Sequence, residues 1–310
     1  PVQYRYAIEK GKHVFMEKPV ATCPTGVRIV IEASKLAKQK GLAVVAGTQR
    51  RHQASFVETV RRIQEGAIGQ IVAAQCYWNG GRPWNRKPDP ALTEIEQQMF
   101  NWYHYTWLCG DHIVEQHVHN LDVINWCFST PDALAHPLRC MAVGGLTAHR
   151  VLEGPDAQKS TEPGNIWDNF AVEYEYPGGV FVQSYCRHWE PCPGIRSGEN
   201  LVGTKGTANP SGRIKAETEW RFEGQGRNPY EQEHIDLIES IRAGKPINEG
   251  ESVAYSTMIA IMGRMAAYTG QNVTWDFVMN QSQLNFVLED PKPGPHPVDP
   301  IAVPGKTKLI

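Results

Sequence analysis

The 310 positions carry two different periods of hydrophobic and polar residues. The opening "YRYAIEKG" reads as the end of a helix stopped at Gly11, a residue suited to the C′ position. Residues 13–16 form a short apolar run closed by Pro19, which predicts a buried strand opening onto a loop. Val27, Val30, Ile31, Ala33, Leu36 and Ala37 then recur at helical spacing over 25–41, with Gly41 as the stop. "LAVVAGTQ" at 42–49 is a second continuous apolar run, as expected of a parallel strand covered on both faces. Another helical pattern spans 53–69. The rhythm helix-strand-helix-strand-helix predicts the end of a doubly wound α/β sheet.

After Gly69 the period changes. "QIVAAQCYW" reads as a strand, followed by a Gly/Pro/Trp-rich loop over 79–90 and an irregular aromatic stretch over 92–109. A helix is predicted at 110–126. Strands follow at 138–145, 168–177, 179–189, 199–204 and 217–224. Several alternate polar and apolar residues, which suits an antiparallel sheet with one solvated face. "YPGGV" at 176–180 is a hairpin turn. Helices close this part at about 230–243 and 252–268. The expected division is 1–69, 70–276 and a Pro-rich arm at 277–310. The arm should lie on a neighbouring subunit or be disordered.

Composition changes the picture only by exclusion. At 41% hydrophobic and 21% charged, with a net charge of −2, the chain offers no bulk attraction to nucleic acid or anionic membrane. The pairs Arg50-Arg51 and Arg61-Arg62 read as solvated helix edges. Seven cysteines, none in a Cys-x-x-Cys pair, suggest small buried apolar residues rather than disulfides or zinc ligands. No run approaches the ~18 apolar residues of a membrane span. The pattern opens inside a helix at Pro1, which predicts further chain upstream, and the compartment is left open between cytoplasm and bacterial periplasm.

The stretch "GDHIVEQHVHNLDVINW" holds three histidines and three carboxylates. At about 100° per residue, Val114, Val118 and Leu121 share one face, while His112, Glu115, His119 and Asp122 share the other. A histidine can accept and return a proton near neutral pH, and a carboxylate one turn away can fix its tautomer. The alternative is an ordinary solvated helix face. His117 and His119 point about 200° apart, so no protein-bound metal is expected. A second candidate is Glu17-Lys18-Pro19, at the C-terminal mouth of a buried strand, where open α/β sheets bind their ligands.

Together, "AIEKGKHVFMEKPVA", "VVAGTQRRH", the Glu-x-x-x-His-x-x-Asp stretch and the later strands resemble the Gfo/Idh/MocA family of nicotinamide-dependent oxidoreductases. The resemblance implies the C-terminal part of a Rossmann-like parallel sheet, then an α/β domain with an open, largely antiparallel sheet. It implies NAD or NADP as cofactor, a sugar, cyclitol or polyol as substrate, and a homodimer or homotetramer. Lys18, Glu115, His119 and Asp122 correspond to the catalytic group, with His119 taking the hydroxyl proton and Lys18 steadying the alkoxide. Glu17, Lys18, Pro19 and Gln49 would line the cofactor site. Trp84, Arg86, Trp102, Tyr103, Arg187 and His188 would line the substrate pocket, with Trp107 beside them.

Two departures stand out. The family carboxylate is commonly Asp, one methylene shorter than Glu115. The Gly-rich phosphate-binding fingerprint is missing, and the first βαβ units would need about 100 residues upstream. The aromatic richness resembles a branch of the family found in exported bacterial proteins. Two other functions stay open: a glycosidase or lyase working by transient oxidation, and a non-catalytic sugar-binding or scaffold protein with a degenerate Rossmann half.

Overall fold

The computed structural model describes residues 1–130, 132–146, 164–188 and 196–310. Helix α1 (Val2–Glu9) leads into strand β1 (Val14–Met16). Helix α2 (Pro24–Gln39) returns to β2 (Val44–Ala46), and α3 (Ala54–Gln64) follows. β1 and β2 pair in parallel, Val14 opposite Val44. This is the geometry that two apolar strands joined by a long helical crossover impose. The apolar stripe of α2, with Val27, Val30, Ile31 and Ala37, is buried in the core.

β3 (Ile71–Gly80) starts the second sheet. Its other strands are β4 (Arg139–Gly145), β5 (Asn169–Tyr176), β6 (Val180–His188), β7 (Gly198–Gly203), β8 (Gly206–Asn209), β9 (Arg213–Lys215), β10 (Glu219–Arg221) and β11 (Val273–Thr274). The order across the sheet is β10-β9-β8-β7-β3-β6-β5-β4-β11. Each neighbouring pair is antiparallel except β3 and β6. The strict alternation of "NFAVEYEY" buries Phe170, Val172, Tyr174 and Tyr176 and turns the other side chains outward. The short strands β8, β9 and β11 carry too little apolar sequence to announce themselves.

Helices α4 (Glu94–Phe100), α5 (Thr106–Cys109), α6 (His112–Glu115) and α7 (Val118–Phe128) connect β3 to β4. The predicted helix over 110–126 is therefore two helices. The break at Gln116 and His117 coincides with His117 reaching the sheet, its Nε2 2.7 Å from Ser184 Oγ. Helix α8 (Pro229–Arg242) precedes α9 (Gly250–Thr269). α9 is buried nearly all round, as a helix apolar on every face must be. It packs against α2, α7 and β4, so one apolar core joins the two sheets.

The first part of the arm packs on its own chain. Arg28 donates to the carbonyls of Val278 and Ser282, Thr25 to that of Leu284, and Arg5 pairs with Glu289. The six cysteines among the described residues are free and buried. Cys192 lies outside the described residues. No described helix is long and apolar enough to cross a membrane.

Candidate active site

Lys18 follows β1 at the mouth of the parallel sheet, and its peptide to Pro19 is cis. Its Nζ donates to the main-chain carbonyl of Glu115 at 2.5 Å and to Glu115 Oε1 at 2.9 Å. Both side chains are nearly withdrawn from solvent, 12% and 8% exposed. His119, in the first turn of α7, stacks at 6.2 Å on Trp78. Burial, then the nearby Lys18 ammonium, holds its pKa well below the usual value. His119 is therefore a neutral imidazole at ordinary pH, able to accept a proton.

The turn before α6 sets the position of Glu115. Gly110 closes α5 with φ 78°, where a Cβ would come within 2.7 Å of Val114. Asp111 follows with φ 71° and ψ 163°, a region strained for any residue but glycine. Four hydrogen bonds hold it there. Oδ1 accepts from the backbone N–H and Nδ1 of His112, and Oδ2 from Trp167 N–H and Tyr268 Oη. The sequence reading missed Asp111 and Trp78. A carboxylate directly after a glycine at a helix start was the available signal for the first, and nothing local marked the second.

Tyr103 extends the site. Its ring lies 5.4 Å from that of His188, with Oη 3.2 Å from His188 Nε2. Burial, then the Glu115 carboxylate beside it, pushes the Tyr103 pKa well up. Burial, then His112 and His104, pushes His188 down to about 2. The His112 and His188 rings are 4.6 Å apart. Among the described residues, Glu115 Oε2, His119 Nδ1, His112 Nε2 and His188 Nδ1 are buried without hydrogen-bond partners. Buried polar atoms are almost always paired, and each orphan costs roughly 1–3 kcal/mol. Unpartnered polar atoms on Glu115, His119, His112 and His188 suit a molecule rich in hydroxyls.

Several predicted site residues sit elsewhere. Asp122 is turned away from Lys18. Its two oxygens accept from Arg51 Nε and Nη2, and Oδ1 also from Ser256 Oγ. The helix break explains this, since one angular count does not run through 116–117. The face is not solvated either: Glu115, His119 and Asp122 are all buried. Arg50 pairs with Glu199 and Arg51 with Asp122, so this basic pair is internal, while Arg61 and Arg62 pair with glutamates along α3. Arg187 and His188 adjoin on β6, so they point to opposite faces, with His188 inward.

The aromatic group is real but sits in part at the surface. Trp84 packs edge-on against Trp102 at 5.8 Å, and Trp102 against Tyr103 at 5.3 Å. Arg86 lies over Trp84 and Phe100. Trp107 stands apart, bonded to Gln98 and packed on His296 of the arm. Among the described residues no three His, Cys, Asp or Glu side chains are placed to hold a metal ion.

At the mouth of the parallel sheet, Glu17 lies so close to Gly47 that a Cβ there would meet its carboxylate. Thr48 Oγ1 and Gln49 Oε1 are buried without partners, while Gln49 Nε2 donates to Tyr230 Oη at 3.2 Å. These orphaned acceptors beside Glu17 and Lys18 suit a planar group with amide hydrogens, such as a nicotinamide. The Gly-rich turn that would hold its diphosphate is not in these 310 residues.

The profile of the GFO/IDH/MocA C-terminal domain matches residues 56–209. The chain belongs to the Gfo/Idh/MocA family. It is 34% identical over 114 residues to inositol 2-dehydrogenase 1 of Saccharopolyspora erythraea, covering 36% of this chain and 32% of that one. It is 27% identical over 177 residues to the 2,7-anhydro-N-acetylneuraminate hydratase of Escherichia coli, covering 56% and 38%. The fold is similar to that of scyllo-inositol dehydrogenase from Lactobacillus casei with bound NAD(H) and scyllo-inositol. There the TM-score is 0.60 at 18% identity, covering 88% of this chain and 76% of that one. The chain spans about a third of the length of the curated relatives it matches.

Proposed function

We propose that this Gfo/Idh/MocA chain works in an NAD(P)-dependent oxidoreductase acting on a carbinol carbon of a sugar, cyclitol or related polyol. The observation that carries this reading is the meeting of Lys18 and Glu115, 97 positions apart, at 2.9 Å beside a neutral His119. The relatives named above act on inositol or a sugar acid derivative, in agreement with the four unpartnered polar atoms of the site. A bound nicotinamide would supply hydride acceptance and donation. This chain supplies the rest. Lys18 orients the substrate hydroxyl and steadies negative charge on its oxygen, and His119 takes the proton. Glu115 holds Lys18 in place, and Tyr103 and His188 offer hydrogen bonds to neighbouring hydroxyls. Glu17, Pro19, Thr48 and Gln49 would border the nicotinamide.

The test is reduction of NAD or NADP by the full-length protein on addition of inositols and aldoses. Net formation of reduced nicotinamide supports a dehydrogenase. Glycoside or anhydro-sugar conversion without it supports the second reading, redox-assisted elimination, which the hydratase relative favours. Neither, with intact cofactor binding absent, leaves the sugar-binding scaffold and removes the proposal.

We also propose the division 1–69, 70–276 and 277–310, and a homodimer or homotetramer built on the outer face of the large sheet. Val143 is 65% exposed there, and Met141, Phe181, Tyr185 and Val202 are exposed on the same sheet. An uncovered apolar area of this kind marks an interaction surface.

A further inference from the structure

A cavity of about 710 Å³ lies between α9 and the C-terminal arm. That is within the range of roughly 300–1,000 Å³ for small-molecule sites. Its wall is largely apolar, with Met265, Leu284, Phe286, Ile301, Val303 and Leu309 contributing. Arg264 is the buried charge on that wall, only 1% exposed. Its Nη1 donates to the carbonyls of Thr22 and Gly110, both at 2.9 Å. Its Nη2 is buried and has no hydrogen-bond partner among the described residues. The rings of Tyr268 and Phe286 lie 5.9 and 5.7 Å from the guanidinium carbon.

A guanidinium does not lose its charge in a protein, so burial without an acceptor is unfavourable. The Asp111 carboxylate cannot supply that acceptor, because its oxygens are taken by His112, Trp167 and Tyr268. The other charged groups on the wall are Lys306, Lys308 and Asp299, which leaves the chamber net positive. The missing partner therefore carries a negative charge and is otherwise apolar. A sugar would leave most of its hydroxyls unpaired against the apolar part of this wall, and the one buried free nitrogen matches a single carboxylate set into an otherwise apolar chamber.

We infer that this cavity is a binding site, separate from the candidate active site, for a small monocarboxylate with an apolar body, such as a medium-chain or aromatic acid. Its carboxylate meets Arg264, and its body lies between α9 and the arm. The site stands apart from the Proposed function, because none of its wall residues belongs to the Lys18–Glu115–His119 group.

Calorimetric titration of the full-length protein with decanoate and with decanol tests this. Saturable decanoate binding, at least tenfold tighter than decanol, is expected. Arg264→Met should weaken decanoate at least tenfold and leave decanol unchanged. Ile301→Trp, which fills the chamber, should remove both. Absence of saturable decanoate binding overturns the proposal. So does equal affinity for the two ligands, or decanoate binding that survives Ile301→Trp. Should Arg264→Met fail to fold, the decanoate-to-decanol ratio and Ile301→Trp still decide, with circular dichroism confirming that the tryptophan variant is folded.

Discussion

The two ends of the stretch 110–126 are equally buried and chemically opposite. At the first end, Glu115 pairs with Lys18, His119 feels that ammonium, and each still keeps a polar atom without a partner. At the second, Asp122 is saturated by Arg51 and Ser256, and the Arg51 guanidinium also covers the Trp126 ring at 5.1 Å. Burial does not separate a working group from a structural one. The state of its hydrogen bonds does. A closed network has nothing left to offer a ligand, whereas an open one carries a cost that a ligand removes.

The largest effect expected from this contrast is on turnover. His119→Ala and Lys18→Ala should each lower kcat by about 10²–10⁴-fold, the range for a lost proton-transfer or charge-stabilising group. The melting temperature of His119→Ala should not fall, because an unpartnered ring is being removed, whereas Lys18→Ala leaves the buried Glu115 carboxylate uncompensated and should lower it. Full activity in His119→Ala would move the proton acceptor to Tyr103 or His112 and break the comparison at its open end.

Asp122→Ala should act the other way. Removing one partner of a buried pair leaves Arg51 uncompensated, at a cost of about 3–5 kcal/mol in denaturant unfolding. If Asp122→Ala instead leaves stability intact and abolishes turnover, Asp122 belongs with the catalytic group after all.

A pH titration of stability sharpens the contrast at smaller amplitude. Burial holds His117 down to about 3 and His188 to about 2, and His119 well below the usual value. A depressed folded pKa gives stability that is present above the unfolded value near 6.5 and lost as pH falls below it. Between pH 6.5 and 5 each of these histidines forfeits up to about 2 kcal/mol. His52 has the opposite sign. Burial would lower it, but Glu249 and Asp236 overcome that and raise it to about 9. Its contribution is full below about 6.5 and fades as pH rises through 9. Replacing His188 with Asn should flatten the acid limb of a melting-temperature profile and leave the alkaline limb unchanged. An unaltered acid limb would mean that His188 does not stay neutral.

The smallest expected effect is at the sheet face. Val143→Glu should lower the mass seen by light scattering without altering the melting of the isolated subunit. A wild-type chain that is monomeric at micromolar concentration removes the proposed assembly.

What the sequence determined by itself is local. Period-two alternation in "NFAVEYEY" set which side chains of β5 enter the core, and the apolar runs at 13–16 and 42–49 set two covered strands. Glycines at 11 and 41 set where the helices before them stop. The Glu-Lys-Pro turn stands at the end of a strand because Pro19 cannot continue one. Glu115 and His119 were legible as a pair because they lie four positions apart in the sequence, although the helix breaks between them. Tertiary structure alone decided which polar groups met. It broke 110–126 at His117 by tying that ring to Ser184, which parted Asp122 from Glu115 and gave it to Arg51. It put Arg50 and Arg51 inside and left Arg61 and Arg62 outside, though both pairs read alike. It set His188 inward and Arg187 outward through a register that the count of residues in β6 does not contain. The physical reason is range. Periodicity is fixed by geometry within a few residues, whereas a hydrogen bond across 97 or 134 positions depends on how whole elements pack.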